Sequence, residues 1–302
     1  MYINELSLNF KDDNKYEIKK RLLEFIHICS RLLKIQRNID FFLYLSNDLY
    51  INSDNYSISE WMYDVDLEEK RMMLNINQKV RCFEDNDSQE LIIKDEFCHA
   101  ALEAYLFNSF IISINSKGQY SSNIINGIHR NLLDNGELIE KKVTIQNISR
   151  ENQLSQPLFK AIIEEYGKVD VSSFQDLWEK RDSLFPNLSF SPSVKNNLER
   201  LDNSHKKQIL IRLYDINNAC IKGGGRGFQR EDILNATPES EATLNQYQDE
   251  HTFKDDSGIS YIASWHIRFT GIAGRIFFVP NYSADKFLIC YIGKKLPNVT
   301  FN

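Results

Sequence analysis

The chain has 302 residues, enough for one large domain or two ordinary ones of roughly 100–200 residues each. Its 42% hydrophobic and 26% charged content, with 19 Phe and 14 Tyr against 12 Gly and 6 Pro, excludes a disordered or linker-rich array. No run approaches the ~18 apolar residues of a membrane-spanning helix, so no membrane partner is expected. Residues 1–13 carry Glu5, Asp12 and Asp13 and lack the basic-then-apolar order of a secretion signal. Cys29, Cys82, Cys98, Cys220 and Cys290 form no CxxC pair, which suits reduced thiols in a cytoplasmic protein.

The net charge of −6 is unevenly spread. Residues 1–200 hold 24 basic and 31 acidic side chains, whereas residues 257–302 hold Arg268, Arg275, Lys286, Lys294 and Lys295 against the single acid Asp285. A basic tail on an acidic protein admits a polyanion partner, or docking against the protein's own acidic half.

In chain order, residues 15–38 are expected to form an amphipathic helix, because Ile18, Leu22, Phe25, Cys29, Leu32 and Leu33 recur at helical spacing. Residues 57–81 hold a second helical region, residues 85–88 break it, and residues 95–106 form another helix. Residues 110–114 are a strand candidate. The β-rich runs 123–133 and 138–148 flank Asp134-Asn-Gly-Glu, a hairpin signal. Residues 157–166 are helical, residues 167–185 connect, and a short helix within that connection surrounds Trp178. No internal repeat is present. The expected organisation is an α+β chain: residues 1–166 as a mixed helical and antiparallel regulatory or partner-docking domain, and residues 186–302 as a second domain.

That second part opens with a strand at 187–191. Pro192 follows at the start of a helix over 193–201, and a longer helix over 204–221 ends at the glycine-rich run 222–227. Strands are expected at 251–254, 259–270, 275–279 and 286–292, separated by turns. The order is βαα followed by an antiparallel ββββ meander.

That order, with the residues in it, resembles the RelE/HigB/ParE superfamily of bacterial toxins. Leu188-Ser-Phe-Ser-Pro-Ser-Val-Lys-Asn-Asn-Leu-Glu-Arg-Leu is similar to the family's first strand running into a helix. Trp265-His-Ile-Arg-Phe, Gly274-Arg-Ile-Phe-Phe and Phe287-Leu-Ile-Cys-Tyr-Ile-Gly-Lys-Lys resemble its last three strands. The resemblance covers roughly 110 residues, interrupted at 222–257, and leaves 1–166 unexplained. It implies an RNA or ribosome partner, metal-free mRNA cleavage without a cofactor in the RelE and HigB types, and gyrase inhibition in the ParE type. It also implies an antitoxin or defence-system protein partner, and a place in stress response or anti-phage defence. Since fold alone does not decide among these, a non-catalytic protein-interaction module is the alternative.

Period-2 alternation puts Tyr261, Ala263, Trp265, Ile267 and Phe269 on one apolar face. Ser264, His266, Arg268 and Thr270 then share the other, expected to be open. Metal-free RNA cleavage needs a base for the 2′-hydroxyl proton, a cation for the phosphate and an acid for the leaving oxygen. His266 can be the base or the acid, Arg268 and Arg275 can hold phosphate oxygens, and Lys294 or Lys295 can add charge stabilisation. By the resemblance, Arg275 sits where the family's strand arginine sits, but nothing after Lys295 supplies the terminal His or Tyr of RelE types. Arg226, Lys286 and Tyr291 are further RNA-contact candidates.

Each group also has a structural reading: a surface His, arginines paired with cross-strand acids, and lysines that block an edge strand. The run 222–227 reads as a helix stop, since it lacks phosphate-loop spacing. Glu239 and Glu241, after Thr237-Pro238, read as first-turn acids of a helix, with paired catalytic carboxylates as the alternative. Cys98-His99 lacks metal-ligand spacing and reads as core.

Overall fold

The computed structural model describes the chain apart from residues 12, 37–38, 84–88, 115–117, 133–137, 168–170, 224–226, 234–235, 270–273, 284 and 300–302, and the side chains of 164–167, 204 and 231. The protein is α+β, in two compact units, Met1–Val169 and Asp170–Asn302. The short helix that the sequence places in a connecting segment belongs to the second unit, where Trp178 meets Phe190 edge-on at 6.2 Å. No helix among the described residues is long and apolar enough to cross a membrane.

The first unit runs β1 (Tyr2–Ile3), α1 (Lys15–Ile35), β2 (Phe41–Tyr44), α2 (Ile58–Asp64), α3 (Leu67–Asn77), β3 (Val80–Phe83), β4 (Gln89–Ile93), β5 (Glu96–Phe97), α4 (His99–Leu106), β6 (Phe110–Ile112), β7 (Ile124–Leu132), β8 (Leu138–Ile148) and α5 (Pro157–Gly167). Helix α1 starts where the Asn14 side chain accepts from the Glu17 N–H, and it buries the expected stripe. Ser57 with Glu60, and Asp66 with Glu69, form capping boxes that start α2 and α3.

Among the described residues the strands form a sheet in the order β3-β2-β1-β6-β8-β7-β4-β5. The β7–β8 hairpin pairs as expected, Leu132 opposite Leu138, with its turn outside the described residues. The antiparallel expectation is corrected on the other side of the sheet. There β3, β2, β1, β6 and β8 all run parallel, with α1 crossing from β1 to β2 and α2 and α3 from β2 to β3. Strand order reverses between β1 and β6.

The second unit runs α6 (Phe174–Leu184), β9 (Leu188–Phe190), α7 (Ser193–Glu199), α8 (Lys206–Gly223), β10 (Ala236–Pro238), α9 (Glu241–Gln246), β11 (Thr252–Lys254), β12 (Ser260–Ile262), β13 (Trp265–Phe269), β14 (Gly274–Ser283) and β15 (Lys286–Lys294). Its main sheet has the order β10-β13-β14-β15-β9, with β9 parallel to β15 and the other pairs antiparallel. The four-strand meander is therefore corrected to three consecutive strands, with β10 added beyond β13. Residues 252–254 pair with β12 in a separate hairpin instead.

The strand expected over 259–270 breaks at Ala263 and Ser264. The Ala263 N–H donates to the His251 carbonyl, and the Ser264 carbonyl accepts from the Glu239 N–H. Both faces of the main sheet are covered. On one, Phe228 packs edge-on against Trp265, Phe278 and Phe287, and the Arg212 Nε of α8 donates to the Arg268 carbonyl at 2.9 Å. On the other, Ala263, Phe277, Leu288 and Cys290 make a small core under Phe253, Tyr261 and Leu296.

Gly274, where β14 begins, has no room for a side chain, because a Cβ there would fall on the Phe269 ring. Gly274→Ala is expected to lose about 1–3 kcal/mol by overpacking. Gly223→Ala, whose Cβ would meet nothing within 4 Å, should leave the urea midpoint nearly unchanged.

Candidate functional site

The pairing register assembles the predicted residues. Across β10, β13, β14 and β15 one row reads Thr237, His266, Phe277, Tyr291. The next reads Arg268, Arg275, Gly293. Directly opposed residues point to the same face, so His266, Arg268, Arg275 and Tyr291 share one side of the sheet, as expected for His266 and Arg268. Tyr291 stands beside the arginine row: a side chain at Gly293 would meet its hydroxyl.

That face is closed, which corrects the expectation that it is open. Arg268 is 7% and Arg275 5% exposed, and the His266 side chain is 12% exposed. The β11–β12 hairpin and His251 cover it. His251 packs edge-on against Phe277 at 5.2 Å, Phe253 lies 6.1 Å from the Tyr291 ring, and the His251 Nε2 meets the Pro297 carbonyl at 3.2 Å. The physical reason is non-local. Residues between α8 and β13 fold back over a face whose own strand pattern is polar.

The other predicted residues do not join the cluster. Lys294 lies opposite Gly274, on the parity of Ile292 and Ile276, and so on the opposite face. Lys295 is half-buried past the end of β15 and engaged in an interaction of its own. Lys286 pairs with Ser283 at the far end of β15. Arg226 lies outside the described residues.

The residue missed by the first-turn reading is Glu239. Ala236–Pro238 is a strand, not a cap with a first-turn proline, and Ser240 caps α9 instead. Proline is tolerated because β10 is an edge strand. Glu239 follows that strand, its N–H on the Ser264 carbonyl, so its carboxylate reaches the β13 row. Its Oε1 lies 2.9 Å from the His266 Nδ1 and its side chain is 8% exposed. The contact is close but not an in-line hydrogen bond, as is common for proton-transfer pairs before substrate arrives. A signal existed: Glu239 sits two residues after Thr237, which pairs with His266, and carboxylate beside imidazole is a recurrent partnership.

Electrostatics give the pair a definite state. Burial lowers the proton affinity of His266, the Glu239 contact opposes this, and the charges of Arg275 and Arg268 lower it further, leaving it below the ordinary value of 6.5. Burial raises that of Glu239, but the His266 contact and the charges of His251 and Arg275 outweigh it and hold the carboxyl below its ordinary range. Near neutrality the pair is thus a carboxylate beside a neutral imidazole. With the carboxylate at Nδ1, the ring proton is favoured there and Nε2 keeps its lone pair. Such a unit can accept a proton, and two guanidinium groups beside it can hold phosphate oxygens. Burial likewise raises the Tyr291 hydroxyl, against the nearby charge of Arg200.

Comparison with protein-family models, with curated proteins and with solved structures finds no match to this chain.

Both His266 and Glu239 bind protons less readily when folded, so the unfolded chain takes up more protons as pH falls. The His266 contribution to stability is full above pH 6.5 and is lost as pH falls through its lowered folded value. The Glu239 contribution is lost at lower pH still, below 4.5. Denaturant melts at a series of pH values should show wild type weakening on acidification below 6.5, with a flatter profile for His266→Gln in that window.

Proposed function

We propose that Asp170–Asn302 acts as a toxin-like RNA endonuclease or ribosome-directed effector. The observation that supports this is the Glu239–His266 pair beside the register-opposed Arg268 and Arg275 on one sheet face. The imidazole Nε2 takes the proton of a ribose 2′-hydroxyl. The 2′ oxygen attacks the adjacent phosphorus, held by the arginines, and the bond from phosphorus to the 5′ oxygen breaks. The leaving oxygen takes a proton from the Tyr291 hydroxyl, which burial keeps protonated, and the tyrosinate recovers it from the imidazolium. The products are a 2′,3′-cyclic phosphate and a 5′-hydroxyl. Glu239 orients the base and steadies its charged form.

RNA reaches this cluster only when the covering segment moves, so the resting chain is restrained. An antitoxin or other protein partner, and a role in bacterial stress response or anti-phage defence, belong to the same proposal and rest on the resemblance to RelE-type toxins alone. A second reading, a non-catalytic protein-interaction module, is favoured by one observation: the arginines are 7% and 5% exposed.

Incubating the purified chain with labelled mRNA, with and without ribosomes and in excess chelator, separates the two. Cleavage leaving cyclic-phosphate ends, slowed about 10²–10⁴-fold in His266→Ala, is the expected result. Intact RNA under every condition favours the interaction module.

A further inference from the structure

The cover over the His266 face is built as a separate part. Among the described residues β11 and β12 pair only with each other, Thr252 opposite Ile262, Phe253 opposite Tyr261 and Lys254 opposite Ser260. An isolated two-stranded hairpin is at best marginally stable in water. What holds this one in shape is therefore its seat on the rest of the unit.

The two faces of the hairpin differ. Phe253 and Tyr261, directly opposed, point inward. Phe253 lies 6.1 Å from the Tyr291 ring, and Tyr261 packs edge-on against Tyr282 at 5.1 Å. Lys254 and Ser260 on the outer side are exposed. The inward pair reaches the arginines through Tyr291. That side chain lies across Gly293, where a Cβ would meet its hydroxyl, and Gly293 is the residue opposite Arg275. Phe253 thus pins Tyr291, and Tyr291 shields the arginine row.

Beyond its base, the hairpin is tied down by two hydrogen bonds among the described residues. The Ser191 Oγ donates to the Lys254 carbonyl at 2.7 Å, and the Tyr282 hydroxyl to the Asp255 Oδ2 at 2.9 Å. Asp255, 5% exposed, joins turn and tie in one side chain. Its Oδ1 accepts from the Ser257 and Ile259 N–H groups at 2.9 Å each, shaping the turn in which Gly258 takes φ +81°. At the base, the Ala263 N–H donates to the His251 carbonyl at 2.8 Å, and the His251 ring rests on Phe277 and the Pro297 carbonyl. Neither tie belongs to the ladder of the main sheet. The hairpin can therefore lift about this base while β13, β14 and β15 keep their pairing.

We propose that the β11–β12 hairpin is a lid over the Arg268–Arg275 row, hinged at His251 and Ala263 and latched by the Tyr282 hydroxyl on Asp255. Lifting it takes Phe253 off Tyr291, frees that ring from Gly293 and opens both guanidinium groups to solvent. Only the use of the opening, admission of RNA, rests on the function proposed above.

Modification of arginines by phenylglyoxal in the full chain, mapped by peptide mass spectrometry, reads the opening without RNA. Tyr282→Phe removes the latch bond and keeps the ring against Tyr261. It should speed modification of Arg268 and Arg275 about tenfold, and Phe253→Ala should speed it at least as much. Arg212, 2% exposed beneath the opposite face of the sheet, is the internal control and should keep its wild-type rate in both variants. Unchanged rates at Arg268 and Arg275 in either variant overturn the proposal. Acceleration that Arg212 shares overturns it too, because the whole unit then opens together. Uncut RNA beside a lid that passes this test would count against the nuclease reading alone.

Discussion

Two arginines directly opposite one another on a covered sheet face set the main constraint on the second unit. Arg268 and Arg275 face each other in the β13–β14 register at 7% and 5% exposure. Like charges so placed destabilise a sheet, and buried charge is tolerated only when it is compensated. Much of the neighbouring structure fits that requirement. Strand β10 extends the sheet beyond β13 and delivers the Glu239 carboxylate to His266, close enough to feel Arg275. Burial, helped by the same positive field, keeps His266 neutral, so the cluster combines fixed positive charge with an unprotonated base. Charge compensation and potential acid–base chemistry are here one arrangement.

Strand periodicity was a sound guide to which residues share a face and a poor guide to whether that face is open. His266 and Arg268 alternate correctly against Ile267 and Phe269 within β13. Ala263, expected with the apolar set, packs instead with Phe277 and Cys290, because the chain bends between two sheets at Ala263 and Ser264. The cover over the polar face comes from residues whose own pattern says only turn and short strand. Glu239 is ambiguous in the sequence, since Thr237-Pro238 is equally compatible with a helix cap and with an edge strand.

In the first unit, the stripe of α1 and the β7–β8 hairpin were legible because each has a period and a boundary. The parallel half of the sheet was not. Phe41, Phe42 and Leu43 of β2 are buried on both faces, which erases the alternation that marks a half-exposed strand. Strand β1 is two residues long and carries no period at all.

The chemistry proposed for the second unit depends on the state of one imidazole. The most direct measurement is the side-chain nitrogen spectrum of His266 in protein labelled with ¹⁵N-histidine, followed over pH and assigned by comparison with His266→Gln. A neutral ring carrying its proton on Nδ1 at pH 7, charging only below 6.5, is the result expected from a carboxylate at Nδ1 and two arginines nearby. A ring already charged at pH 7, or one carrying its proton on Nε2, would contradict it.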